Sequence, residues 1–138
     1  MKPEELQIGD WIQTDNTPFK VVGFDTSNGE VQSDDWIIKL ECCNPIPLTP
    51  EILEKNGLVD ASGKKLKYEY ESFNKDVQLN YLTKYSVFSI YIKNEKDNYL
   101  WGLIRPNEWY KAFEGEIKYV HDLQHVLRIC GISKEIIL

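Results

Sequence analysis

A chain of 138 residues with 42% hydrophobic, 28% charged and 12% aromatic side chains can bury a conventional core, which excludes a disordered segment and a scaffold dependent on staples. Its formal net charge of −6 is uneven: residues 1–60 hold four lysines against twelve acids, a net −8, and residues 61–138 hold twelve bases against ten acids, a net +2. An acidic first half repels phosphate backbones, so it disfavours nucleic acid and suits a basic protein partner.

The opening MKPEELQIGDW has no cationic head followed by an apolar run, and no window approaches ~18 consecutive apolar residues. The expectation is a cytoplasmic protein without a membrane segment. Three cysteines, Cys42, Cys43 and Cys130, give neither an even framework nor a C-x-x-C pair and read as reduced thiols. On a strand, adjacent Cys42 and Cys43 point to opposite faces and cannot jointly grip a metal.

From Ile8 to Asn44 short strands alternate with turns. Trp11 to Thr14 follows Gly9-Asp10, Asp15 to Pro18 is a turn, Phe19 to Phe24 is β-rich, and Asn28-Gly29 is a hairpin signal. Val31 to Ser33 and Trp36 to Cys43 supply further strands, with Ile37, Ile38 and Leu40 as candidate core. Strands this short bury little as a flat sheet, so the expectation is an SH3-like small β-barrel over residues 1–46.

Pro45 to Pro50, with three prolines in six residues, interrupts the sheet pattern. Thr49 is a suitable N-cap and Pro50 sits at the first helical position, predicting a short helix that Asn56-Gly57 stops, a rigid connector between the halves. Leu66, Tyr68 and Tyr70 alternate with charged residues, Val77 to Tyr81 repeat the alternation, and Tyr85–Ile92 and Tyr99–Ile104 are β-rich runs. Short polar turns between them predict an antiparallel β-meander. Arg105 to Phe113 mixes loop signals with dense aromatics, and Arg105, Trp109 and Tyr110 are residue types enriched at interface hot spots, which makes them the candidate partner-binding residues.

The last element reads EIKYVHDLQHVLRIC, Glu116 to Cys130. Ile117, Val120, Leu123, Leu127 and Cys130 form one stripe on a 3.6-residue wheel, flanked by Tyr119 and Val126. The helix predicted over 116–130 takes Gly115 as N-cap, Arg128 at its negative end and Gly131 as a left-handed C′ residue with Ile132 beyond. The fold class expected is α+β, with the barrel followed by a module of residues 47–138 in which this helix packs the meander; the alternative is that the two halves, which the rigid connector leads one to expect packed together, form one compact unit.

His121 and His125 share a helix face in an H-D-L-Q-H run similar to the zincin H-E-x-x-H pattern, in which two histidines hold zinc and a glutamate acts as base. Asp122 stands in the glutamate's place, and Glu135 is the one acidic or histidine candidate after His125. Catalytic zinc takes three protein ligands and an open position, so His121 and His125, with Asp122 in the place of the base, fall one ligand short. There is no phosphate-cradling glycine loop and no G-x-S-x-G elbow. No catalytic residue and no cofactor are assigned.

Three stretches resemble a family of small uncharacterised proteins of gut Bacteroidetes and their phages and mobile elements: L-x-I-G-D-W-I (Leu6 to Ile12), N-P-I-P-L-T-P-E-I-L-E-K-N-G-L (Asn44 to Leu58) and K-Y-V-H-D-L-Q-H (Lys118 to His125). In that family's pattern an asparagine often stands at position 125. The resemblance implies no catalytic residue. Together with the residues it points to a non-enzymatic cytoplasmic accessory or adaptor protein, phage- or mobile-element-derived, that binds a host or viral protein. The alternatives are a metal-dependent hydrolase using the HDLQH helix and a small barrel that binds nucleic acid.

Overall fold

A computed structural model describes residues 1–60, 80–84, 89–94, 98–104 and 112–138. The chain forms two compact units, each assembled from two stretches: Met1–Leu48 with Tyr119–Glu135, and Thr49–Lys118 with Ile136–Leu138. The described residues form three small antiparallel sheets and a C-terminal helix, a mixed α and β architecture.

The first unit begins with a turn that the Gly9-Asp10 pair makes possible. Asp10 N–H closes it on Gln7 O at 3.1 Å, with Gly9 at φ 93 in its third position, where a type II turn requires a positive φ. Gly9 N–H then donates to Val21 O at 2.7 Å and Val21 N–H to Asp10 O at 2.9 Å, so two residues face one across a glycine bulge. Strand β1 (Trp11–Thr14) follows and pairs with β2 (Thr17–Lys20) through a two-residue loop. Asp15 and Asn16 in that loop have φ 47 and 61, as a type I′ hairpin demands of short polar residues.

Past β2, Val22 N–H bonds Gln32 O at 2.8 Å, and the chain bends into a second sheet. It holds β3 (Gly23–Asp25), β4 (Glu30–Gln32) and β5 (Ile37–Lys39), in that order, while β6 (Asn44–Pro45) returns to the free side of β1. The β-rich run Phe19–Phe24 is therefore two strands in two sheets. Neither sheet closes among the described residues, so the barrel expected for residues 1–46 is here a pair of open three-stranded sheets. The strands are two to four residues long, and no ladder joins β2-β1-β6 to β3-β4-β5. Leu6, Ile12, Phe19, Val21, Val31, Leu40 and Cys43 form the buried core.

The second unit opens with α1 (Pro50–Lys55). Thr49 Oγ1 accepts Ile52 N–H at 3.3 Å, Pro50 is at the first helical position, and Gly57 follows the Asn56 C-cap at φ 84, as the sequence indicates. Strands β7 (Val59–Asp60), β8 (Asn80–Lys84), β9 (Ser89–Asn94), β10 (Tyr99–Ile104) and β11 (Ala112–Ile117) pair in chain order, an antiparallel meander. The alternating stretches at Leu66–Tyr70 and Val77–Leu79, and residues 105–111, lie outside the described residues.

The terminal helix α2 (Val120–Ile129) is shorter than expected and belongs to the first unit, not to the meander module 47–138. Glu116 and Ile117, read as its start, belong instead to β11 (Ala112–Ile117), which pairs with β10. Gly115, the expected N-cap, lies opposite Trp101 in that ladder, and a Cβ there would come within 3.2 Å of Trp101 Nε1. Sheet pairing has overridden the helical pattern. Helix α2 instead starts where Val120 N–H bonds Ile46 O at 2.9 Å and Asp122 Oδ2 accepts Tyr119 N–H at 2.9 Å. Its end matches expectation: Gly131 at φ 74 donates to Arg128 O at 3.0 Å and Ile132 N–H to Leu127 O at 2.8 Å, both bonds of a Schellman motif.

Candidate functional site

The apolar stripe of α2 buries Val120, Leu123, Val126 and Leu127, but two polar side chains beside it, His121 and Gln124, are buried as well. Their partners explain why. Gln124 straddles the Gly9–Trp11 backbone, its Oε1 accepting Trp11 N–H at 2.8 Å and its Nε2 donating to Gly9 O at 3.0 Å. A side-chain amide thus completes the backbone bonding that the bulge interrupts.

One turn away, Asp10 is fully buried. Its Oδ2 accepts Gln7 N–H at 2.7 Å and contacts His125 Nε2 at 2.7 Å, and its Oδ1 accepts from Arg128 Nη1 at 2.7 Å. Burial alone would push the Asp10 carboxyl up; the bonds from His125, Gln7 N–H and Arg128 together outweigh it and hold the group below its ordinary range. Arg128 Nη1 also reaches Gln7 Oε1 at 2.9 Å, and its Nη2 lies where a Cβ on Gly9 would meet it at 3.2 Å. The GDW segment and the QHVLR stretch of α2, more than a hundred residues apart in sequence, therefore form one polar clamp that fastens helix to sheet.

This clamp settles where the zinc-like set goes. His125 turns Nε2 to Asp10, and Asp122 spends Oδ2 on capping the helix. His121 stacks on Tyr119 at a centroid distance of 5.7 Å and meets His125 edge-on at 5.6 Å. Its Nε2 is 3.6 Å from Asp122 Oδ1, beyond hydrogen-bond length, and its Nδ1 has no partner. Burial lowers the His121 pKa, against the pull of the Asp122, Asp10 and Glu5 carboxylates. Glu135 pairs with Lys20, whose ammonium lies 5.3 Å above the Trp11 ring. Among the described residues no three His, Cys, Asp or Glu side chains converge on a point that could hold a metal.

Beside His121 an open cleft of about 540 Å³ is lined by Met1, Lys2, Glu5, Pro45, Tyr119 and Asp122. It mixes charges of both signs. The cysteines do not meet: Cys42 is exposed, Cys130 half-buried, and burial pushes the Cys43 thiol up to about 11, which removes its nucleophilic form near neutrality.

A different surface presents binding chemistry. In the β4–β5 hairpin Ser33 N–H donates to Trp36 O at 2.9 Å, and Ser33 Oγ accepts Asp35 N–H at 3.2 Å and Trp36 N–H at 3.1 Å. A two-residue loop thereby lifts Asp34 and Asp35 to the tip. Trp36 is 45% exposed and Ile37 61% exposed, although the sequence pattern placed Ile37 in the core. The register explains the inversion: Ile38 pairs with buried Val31 and turns inward, leaving its neighbour Ile37 on the outer face. The sequence signal was available in S-D-D-W-I, where two acids precede two large apolar residues.

Arg105, Trp109 and Tyr110, the partner-binding residues expected from the sequence, lie outside the described residues. No helix among the described residues is long and apolar enough to cross a membrane. No family model, curated protein or solved structure matches the chain.

Proposed function

We propose that this chain is a non-enzymatic cytoplasmic accessory or adaptor protein, phage- or mobile-element-linked as the resemblance implies, that works by docking a protein partner. The observation that carries this reading is the β4–β5 hairpin, where Trp36 and Ile37 stand exposed beside Asp34 and Asp35. Tryptophan is among the residues most enriched at interface hot spots, and an aromatic anchor beside charge gives both affinity and partner choice. The first unit carries five bases against eleven acids, which adds a field attractive to a basic partner. Likeness to SH3-like small barrels, a common form of binding platform, rests on the bent β2–β3 run that joins the two sheets.

The groups that would do chemistry are engaged in structure, since His125 and Asp122 hold the clamp and the helix cap. The metal-hydrolase alternative has less support for that reason, and nucleic-acid binding is opposed by the charge of the first unit. Affinity purification from host lysate tests the proposal. A stoichiometric partner is expected with the wild type, lost on Trp36→Ala with Ile37→Ser in a protein whose circular dichroism is unchanged. The same loss on Trp109→Ala with Tyr110→Ala instead would move the surface to the aromatic segment, and recovery of no partner under any condition would defeat the reading.

A further inference from the structure

We infer that the occupant of the β4–β5 hairpin is an extended, basic protein segment that adds as a strand to the open edge of β5. This rests on the binding reading above and names the partner's chemistry. Strand β5 ends the β3-β4-β5 sheet, with β4 on one side and no described strand on the other. The bond from Ser33 N–H to Trp36 O makes that pair a hydrogen-bonded one. Antiparallel alternation then makes Gln32–Ile37 a non-bonded pair, so the N–H and C=O of Ile37 point away from β4 toward the open edge. An incoming strand finds there a donor and an acceptor at a residue whose side chain is itself exposed. Main-chain bonds supply affinity in this mode, and side-chain contacts at alternate positions supply choice.

The side chains around Ile37 specify what that strand carries. An apolar residue opposite Ile37 would cover it, and cationic residues beyond would meet Asp34 and Asp35, neither of which has a described ion-pair partner, and the face of Trp36. A cation over an indole already occurs in this unit, where Lys20 lies 5.3 Å from the Trp11 ring. Lys39, the one base on β5, is turned back onto Glu30 at 3.1 Å and Asn28 O at 3.0 Å, so the edge keeps a negative field. A second copy is a poorer occupant, because it would bring together two units that each hold eleven acids and five bases.

The probe is a fluorescent octapeptide alternating lysine and valine, titrated into the full chain at low salt and followed by anisotropy, with the glutamate–valine octapeptide as control. Binding of the lysine peptide alone is expected, weakened about tenfold by Asp34→Asn with Asp35→Asn. It should be lost on Ile37→Pro, which removes the outward N–H without touching the ladder to β4. An N-methylated lysine–valine peptide should also fail, and this control stands even if Ile37→Pro does not fold. Equal binding of the methylated peptide would overturn strand addition. No binding of the lysine peptide, with a lysate partner still captured through Trp36, would overturn the basic class and leave the adaptor reading standing. Absence of both would remove both, and a dimer that dissociates on Trp36→Ala would replace the basic segment by a second copy.

Discussion

Asp10 is the side chain on which the first unit turns. A buried carboxylate is tolerable only while its hydrogen bonds are complete, and here three donors from two segments complete them. Asp10→Ala should therefore cost about 1–3 kcal/mol, because it removes the acceptor of Gln7 N–H, of His125 and of one Arg128 bond, while the exposed guanidinium keeps Gln7 Oε1. From the sequence alone His125→Asn is expected to be nearly silent. The bond to Asp10 changes that expectation to a loss of about 1–3 kcal/mol, since the shorter amide does not span the 2.7 Å contact without moving the helix. Urea denaturation of the two variants checks both values, and an unchanged midpoint in Asp10→Ala would refute the clamp. The same cluster sets a pH dependence. His121 has a lowered pKa in the fold, so below the ordinary 6.5 the unfolded chain takes up a proton that the folded chain resists, and stability falls as pH falls. Asp10 is lowered from 3.8, so its contribution is present above that value and is lost as pH drops through the lower folded one. Urea midpoints should decline in these two windows, and His121→Gln should remove the upper decline. The sequence displayed both histidines and could not display Asp10 as their neighbour, because the pairing spans 115 positions.

At the level of elements, what was legible depended on how local the cause was. The α1 cap and the Gly131 terminus are each decided within a few residues and lie where their sequence signals put them, while the turn read over Asp15–Pro18 is narrowed to Asp15-Asn16, with Thr17 and Pro18 in β2. The start of α2 is decided by partners. Glu116 and Ile117 continue the helical pattern, yet the β10 edge takes Ala112–Ile117 as a strand, with a register shift between Trp101 and Gly102 accommodating the extra residue. Ile37 is the other case, since its place on the outer face depends on a register that a run of three apolar residues does not fix. Of the stripe read from the sequence, Val120, Leu123 and Leu127 lie buried on α2, while Ile117 lies on β11 and Cys130 at the C-cap; the surface the helix docks on was not legible. Leu123 lies in mid-helix and is fully buried, so Leu123→Ala should cost about 2–5 kcal/mol from lost contacts and the cavity left behind. A calorimetric scan resolves the outcome, and a shift confined to the second unit's transition would place the helix elsewhere.

For the molecule as a whole, both units are discontinuous: the chain leaves the first after Leu48, returns to it at Tyr119 and leaves again after Glu135. In the second, the C-terminal tail is held by Asn56, whose Oδ1 accepts Ile137 N–H and whose Nδ2 donates to Ile137 O, each at 2.7 Å. The proline-rich stretch Pro45–Pro50 does mark where the chain changes unit, after Leu48; the return of residues 119–135 to the first unit has no such local signal, because it depends on contacts across the whole chain. The consequence is that residues 1–48 are not a self-sufficient module. Cut from the rest, they keep the apolar side chains of two short sheets but lose Val120, Leu123, Val126 and Leu127, and they leave Asp10 without two of its donors. A fragment of that size, without disulfide or metal, has little margin to absorb such losses. Residues 1–48 alone should give a collapsed, poorly dispersed amide spectrum. Adding a peptide of residues 119–135 should restore dispersion and protect the Trp11 amide, which needs Gln124 as its acceptor. A fragment 1–48 that folds unaided, with the Trp11 amide protected in the absence of the peptide, would show that the helix is an accessory to this unit and not part of its core.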